Sequence, residues 1–157
     1  GESMFETVDI EELGQDVINN LQERAAKKKI ELEYKGSDAQ VQGVRHVLYE
    51  MLYNITDNAI RYTPEGGEVR VFVGKFNGKP FFRVEDNGIG IPENEQQRIF
   101  ERFYRVDKSH SKEIGGTGLG LAITRSAVTM HHGTIQVASK EGEGTTFTVR
   151  IPLSYIP

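Results

Sequence analysis

Three segments of the chain repeat apolar residues at the spacing of an amphipathic helix. The first runs from about residue 9 to 28, the second from about 44 to 62, and the third follows Gly118 and ends near residue 132. In each segment the apolar positions recur every three or four residues, which places them on one stripe of a helix. We therefore predict three helices, each with one face packed against a core.

The ends of these helices carry recognisable signals. Asp9 precedes the first apolar stripe and Glu12 follows three residues later, a pair that predicts a capped helix N-terminus. Gly133 lies directly after the third stripe, where glycine is typical of a helix C-terminal cap. A further stretch, residues 93–102, is helical in character and leads into an aromatic cluster.

Between the helical segments, side chains alternate between apolar and polar in the way that half-buried strands do. Asn77-Gly78 separates two of these runs and predicts a tight hairpin. The predicted strands cover residues 30–34, 69–73, 81–85, 135–137 and 146–151. We expect one domain over residues 1–157, since no linker or internal repeat divides the chain.

Composition narrows the range of functions. A net charge of −4 gives no reason to expect nucleic acid or anionic lipid as a partner. The absence of cysteine rules out disulfides and thiolate metal sites. No apolar run has the length of a membrane helix. We expect Gly1-Glu2-Ser3 to be a cloning remnant, and the chain to be one domain taken from a longer protein.

The second helical segment also carries a polar set at helical spacing. Asn54, Asn58, Arg61 and Tyr62 fall on one side of it or at its edge. Asparagine is a mediocre helix former, and its carbonyl oxygen is a ligand for hard cations such as Mg²⁺. Taken alone, the pattern is better explained by two solvated amides on an exposed face.

A carboxylate and two glycines follow the predicted strand 81–85. In Asp86-Asn87-Gly88-Ile89-Gly90-Ile91, the glycines let the backbone turn closely around a ligand. An ionised carboxylate only accepts hydrogen bonds, so Asp86 suits an exocyclic amine such as that of adenine. The alternative is an ordinary Asp-Gly turn.

The most glycine-rich stretch opens the third helix. Four glycines fall between Gly115 and Gly120, and a turn of this kind at a helix N-terminus binds anions, phosphate above all. The polar, charged run before it, residues 105–113, has the composition of a lid. The spacings of the Walker A loop, the dinucleotide-binding turn and the protein-kinase set are all absent.

Five segments together resemble the N, G1, F, G2 and G3 boxes of sensor histidine kinases, in the right order and at ordinary distances. Two further runs, residues 62–67 and 103–108, are most similar to the phosphate-sensing and cell-wall-sensing branch of these kinases. The resemblance implies the Bergerat ATP-binding fold, an α/β two-layer sandwich with a mixed, mostly antiparallel sheet packed on three helices. The five segments are residues 54–63, 86–90, 100–104, 116–120 and 144–147.

The resemblance also implies ATP and Mg²⁺ as ligands and a role for each matching residue. Asp86 would accept the adenine amino group with the support of Thr145 through water, and Asn58 would ligate Mg²⁺. Asn54, Arg61 and, from the lid, Arg105 would act on the phosphates as catalytic residues, and Tyr62 would pack near the adenine or ribose. The remaining predicted nucleotide contacts are Gly88, Gly90, Ile91, Gly116, Thr117, Gly118, Leu119 and Gly120.

Asn54 sharpens the expected chemistry. Related hydrolytic ATPases carry Glu in this slot as the base that activates water, and Asn cannot accept a proton, which favours phosphoryl transfer. No histidine lies in the acceptor motif of these kinases, so the implied acceptor is a separate dimerisation domain of the same protein. A response regulator would be the next partner, and the domain would be the cytoplasmic part of a membrane-anchored parent without touching the membrane itself. The alternatives are a hydrolytic ATPase of the same fold, an anti-sigma-type serine kinase and a non-catalytic nucleotide-binding module.

Overall fold

The computed structural model describes residues 4–101 and 120–153. The helices follow the predicted stripes closely: α1 is Ile10–Lys27, α2 is Arg45–Arg61 and α3 is Gly120–Met130. The strands are β1 Glu6–Asp9, β2 Glu31–Gly36, β3 Gln40–Gly43, β4 Glu68–Phe76, β5 Lys79–Asp86, β6 Thr134–Lys140 and β7 Gly144–Arg150. Within these residues, none of the helices combines the length and the apolar character needed to cross a bilayer.

Five strands form the main sheet in the order β2-β4-β5-β7-β6. The β2–β4 pair is parallel, and the other three pairs are antiparallel. The inward faces of the strands and the apolar stripes of the helices share one hydrophobic core. The predicted two-layer α/β sandwich with a mixed, mostly antiparallel sheet on three helices is confirmed.

Two local predictions are confirmed in detail. The Asp9 carboxylate accepts a hydrogen bond from the Glu12 backbone N–H at 3.1 Å, as an N-cap does. At the β4–β5 turn, Asn77 and Gly78 have φ angles of 52° and 78°, the left-handed pair that a tight two-residue hairpin requires. Both signals are short-range, so neighbouring residues suffice to specify them.

Other predictions are wrong in part. The helix expected over residues 93–102 is only a 3₁₀ turn, Glu93–Glu95, followed by further turns as far as Phe100. The sequence of this segment has no repeated apolar stripe that could pack a helix. Ile99 is accordingly its only fully buried residue within 93–101. A small antiparallel sheet of β1 and β3 was not predicted, since each strand has only four residues.

The C-terminus of α3 also differs from the prediction by one residue. The left-handed residue is His132, with a φ of 58°, rather than Gly133. Gly133 donates its backbone N–H to the Val128 carbonyl at 3.0 Å. A Cβ at Gly133 would lie 2.5 Å from the Arg150 carbonyl oxygen, so glycine is required there for the close approach of β7.

His131 is buried, with 2% of its surface exposed. Its Nδ1 donates to the Ala127 carbonyl at 2.8 Å, and its Nε2 accepts the Val44 backbone N–H at 3.0 Å. Val44 is the N-cap of α2 and offers no side-chain cap, so the imidazole links the end of α3 to the start of α2.

Candidate nucleotide site

The two asparagines of α2 lie one helical turn apart and are half-buried. Neither the Asn54 nor the Asn58 side chain forms a hydrogen bond with another residue in the described ranges. Half-buried amides without a protein partner can bind water or a ligand. Both side chains are therefore available to a ligand at this face of α2.

The end of α2 is joined to the loop that follows β5. The Ile89 backbone N–H donates to the Tyr62 carbonyl at 3.1 Å. A Cβ at Gly88 would overlap the same carbonyl oxygen, so only glycine allows the loop to lie this close to the helix. These contacts bring two of the sequence-predicted segments, residues 54–63 and 86–91, into one site.

Asp86 lies at the end of β5, opposite Thr145 of β7. Burial raises the pKa of its carboxyl group to about 6, while backbone hydrogen bonds from Gly88 and Thr145 partly offset that effect. The Gly88 N–H lies 2.8 Å from Asp86 Oδ1. The carboxyl group is thus held in place by the backbone and is costly to ionise without a ligand.

Thr145 belongs to a hydroxyl network that the sequence did not indicate. Its Oγ1 lies 2.8 Å from Ser139 Oγ of β6. Ser139 Oγ also accepts the Ile91 backbone N–H at 2.8 Å and donates to the Gly144 carbonyl at 2.9 Å. Gln96 donates to the carbonyls of Ile91 and Ser139 at 3.0 and 3.1 Å, which fastens the loop to the sheet.

Arg61 is paired with a carboxylate of its own helix. Its Nε lies 3.0 Å from Asp57 Oδ2, and Arg24 Nη1 of α1 lies 3.0 Å from Asp57 Oδ1. Lys28 Nζ donates to the carbonyls of Ile60 and Arg61 at 2.9 and 2.6 Å. The predicted phosphate contact is therefore fixed in position through both its side chain and its backbone.

The remaining predicted site residues divide into two groups. Tyr62 is half-buried at the end of α2, Gly90 and Ile91 are buried in the loop, and Gly120 begins α3. Arg105, Gly116, Thr117, Gly118 and Leu119 lie outside the described residues. The described residues thus bring the predicted contacts to the base close to one another.

The Mg²⁺ ion implied by the sequence would be held here as part of a nucleotide complex. Among the described residues, no group of three or more His, Asp or Glu side chains is placed to hold an ion by itself. An asparagine oxygen without a partner is a suitable single ligand for Mg²⁺, which usually keeps several waters and the phosphates of its nucleotide. The donor set of Asn58 and Asn54 agrees with that kind of binding.

Comparison with known proteins identifies relatives over most of the chain. The sensor-like histidine kinase SenX3 of Mycolicibacterium smegmatis strain ATCC 700084 is 36% identical over 149 residues, covering 94% of this chain but only 39% of SenX3. Full-length ShkA, solved in complex with AMPPNP, gives a TM-score of 0.82 at 30% identity and covers 97% of this chain and 32% of ShkA.

The histidine kinase ThkA, solved in complex with the response regulator TrrA, gives a TM-score of 0.78 at 26% identity, covering 95% of this chain and 42% of ThkA. The chain thus spans well under half of each of these three proteins. Residues 43–155 match the family described as histidine kinase-, DNA gyrase B- and HSP90-like ATPases, which is more than half of the chain. The chain belongs to this ATPase family, and the relatives named here are histidine kinases.

Proposed function

We propose that this chain is the ATP-binding catalytic domain of a sensor histidine kinase. The observation that carries the proposal is the hydrogen bond between Ile89 and Tyr62, at 3.1 Å. This bond joins the loop that follows Asp86 to the helix that bears Asn54 and Asn58. One ligand could therefore contact the Asp86 carboxylate with its base and the two amides with its phosphates. That combination suits an adenine nucleotide.

Each residue of the site has a defined part in this proposal. Asp86 accepts the adenine amino group, with Thr145 beside it, and Tyr62 packs against the base or ribose. Arg61 contacts phosphate through the guanidinium nitrogens that Asp57 leaves available. Arg105 and the glycine stretch 116–120 are assigned to phosphate binding from the sequence pattern alone.

Mg²⁺ would be held by Asn58, with Asn54 close by on the same helix. When bound, the ion supplies charge neutralisation at the phosphates. The chain itself positions the nucleotide and offers neutral amides there. Positioning and charge neutralisation are the main protein contributions to phosphoryl transfer, because little covalent chemistry is left for side chains to do.

Transfer to a histidine of a separate domain fits the site better than hydrolysis. Hydrolysis needs a base to activate water, and an Asn54 amide cannot accept a proton at neutral pH. His131 is also unsuited to be the acceptor, since both of its ring nitrogens are already in hydrogen bonds. The acceptor would lie on a dimerisation domain of the parent protein, which then passes the phosphoryl group to a response regulator.

ThkA is solved with a response regulator, and SenX3 is a sensor-like histidine kinase, which supports this order of events. We assign the domain to the cytoplasmic side of a membrane-anchored parent, because ATP and a response regulator are both cytoplasmic.

Titration calorimetry tests the binding step. ATP is expected to bind with micromolar to millimolar affinity, more tightly with Mg²⁺ than without it. Asp86→Asn should weaken ATP binding by about tenfold or more, since a site built for an amine loses an acceptor. Asp38→Asn, at an exposed position, is the matched control and should leave affinity unchanged. Equal ATP affinity in wild type and Asp86→Asn would contradict the assignment.

A further inference from the structure

Thr145 and Asp86 point to the same side of the sheet. The two residues are directly opposite each other across β5 and β7, with Val84 and Phe147 as the next aligned pair on that face. Because strand side chains alternate between faces, Asp86 and Thr145 share the buried face with these core residues. A ligand that reaches the Asp86 carboxylate therefore meets the Thr145 hydroxyl as well.

The direction of the Thr145 hydroxyl proton follows from the donors and acceptors around Ser139. A serine hydroxyl has one proton to donate and two lone pairs to accept with. Ser139 Oγ has three partners: the Gly144 carbonyl at 2.9 Å, which can only accept, the Ile91 N–H at 2.8 Å, which can only donate, and Thr145 Oγ1 at 2.8 Å. All three bonds form together only if Thr145 donates to Ser139.

Thr145 Oγ1 is then left with lone pairs alone for a ligand. Together with Asp86, it presents two acceptors to the same ligand edge. Two acceptors suit an exocyclic amino group, and they oppose a carbonyl oxygen, which is also an acceptor. The hydroxyl network thus distinguishes the 6-amino group of adenine from the 6-oxo group of hypoxanthine or guanine.

The network is held rigidly enough to enforce this direction. Gln96 Nε2 bridges the carbonyls of Ile91 and Ser139 at 3.0 and 3.1 Å, so the two backbones that meet at Ser139 Oγ cannot separate easily. Thr145 is buried, with 7% of its surface exposed, and water cannot readily replace Ser139 as its partner.

We propose that Ser139 is a positioning residue for base selection: it fixes Thr145 as an acceptor and so favours a 6-amino purine over a 6-oxo purine. The proposal rests on the proposed function, in which Asp86 binds the base. Ser139 itself need not touch the nucleotide.

The test is a double-mutant cycle with two nucleotides. Titration calorimetry would measure ATP and inosine triphosphate, each with Mg²⁺, on the wild type, Ser139→Ala, Thr145→Val and the double variant. In Ser139→Ala the freed Thr145 hydroxyl can donate to a 6-oxo group, so the preference for ATP should fall by about tenfold. In the Thr145→Val background, Ser139→Ala should leave the preference unchanged.

The ratio of the two affinities separates this role from a purely structural one. If Ser139→Ala only displaces the loop, the binding of both nucleotides should weaken by the same factor and the ratio of their affinities should stay constant. That result would overturn the proposal. The proposal would also be overturned if Ser139→Ala changed the affinity ratio equally in the wild-type and Thr145→Val backgrounds. Ser37→Ala, at an exposed serine beyond β2, is the control and should change neither affinity. If the wild type binds neither nucleotide, the proposed function fails instead.

A measurement on the wild type decides the question if Ser139→Ala does not fold. Nuclear magnetic resonance should show a Thr145 hydroxyl proton that exchanges slowly with water and is close to the Ser139 β protons. A Thr145 hydroxyl proton in rapid exchange with water would overturn the proposal.

Discussion

At Asp86, the proposed function and the stability of the fold are opposed. Burial raises the pKa of its carboxyl group from 3.8 to about 6. Between these two values the folded chain binds more protons than the unfolded chain, so stability falls as pH rises through this window. Above pH 6, the ionised group costs on the order of 2–3 kcal/mol in the absence of a ligand.

Asp86→Asn is therefore expected to stabilise the domain while it weakens ATP binding. At pH 7.5 the free energy of unfolding should rise by about 1–3 kcal/mol, and at pH 4 by much less, because the wild-type carboxyl is then protonated. Urea denaturation at the two pH values measures this, with Asp38→Asn as a control that should shift neither value. A loss of stability at pH 7.5 would show that the carboxylate is stabilising as it stands.

Asp57, in contrast to Asp86, is a residue whose charge stabilises the fold. It pairs with Arg24 and Arg61, both at 3.0 Å, and its side chain is only 12% exposed. Asp57→Ala should lower the free energy of unfolding by about 1–3 kcal/mol, because two cations lose a partly buried partner. Glu23→Ala, which breaks an exposed pair with Lys27, should cost less than about 0.5 kcal/mol. Equal effects in denaturation would contradict this view of Asp57.

At the scale of elements, the N-terminus of α2 depends on the side chain of His131, the residue directly after α3. His131 accepts the Val44 N–H at 3.0 Å, and burial lowers the pKa of this imidazole. A histidine kept neutral in the fold contributes stability above its unfolded pKa, and that contribution is lost as pH falls below about 6.5.

His131→Ala should destabilise the domain at pH 7.5 by about 2–4 kcal/mol, since it leaves a buried N–H unpaired and opens a cavity. The difference between wild type and variant should shrink as pH falls from 7 to 5. Urea titrations across that range measure it, with His46→Gln, at an exposed position of α2, as the control. A pH-independent difference would mean that the imidazole acts by packing alone.

The elements that the sequence predicted well are those specified by local repetition. Helix α1 and the Asn77-Gly78 hairpin depend on residues a few positions apart, and both are confirmed. Strands β1 and β3 have four residues each, too few for a pattern, and are fixed by pairing with each other. Ser139 was missed for a related reason: its bond to Ile91 spans 48 positions, a contact that no local motif signals.

The same distinction applies to the site. Asp86 was predicted because it lies beside glycines in one short segment, and its elevated pKa needed the surrounding fold to appear. The contact between Ile89 and Tyr62 joins two segments that the sequence could only list separately. Asp57 has no visible function in the sequence of α2, because its partner Arg24 lies on another helix.

At the scale of the whole molecule, the proposed function predicts phosphoryl transfer rather than hydrolysis, because Asn54 offers a neutral amide and cannot act as a base. The chain alone, supplied with ATP and Mg²⁺, should release phosphate slowly. A separately prepared dimerisation domain of the parent protein, which carries the acceptor histidine, should become labelled from γ-labelled ATP. The label should be labile to acid and stable to alkali, as expected for phosphohistidine.

Asn54→Ala should slow this transfer by about a hundredfold at saturating ATP, because the reacting phosphate loses a positioning contact. Asn19→Ala replaces an exposed amide on α1 and should leave the rate unchanged. Phosphoryl transfer requires the acceptor domain, whereas hydrolysis proceeds at the same rate with or without it. If phosphate release is rapid without the acceptor and does not change when the acceptor is added, the domain is a hydrolytic ATPase, and the neutral amide of Asn54 cannot be what sets the reaction.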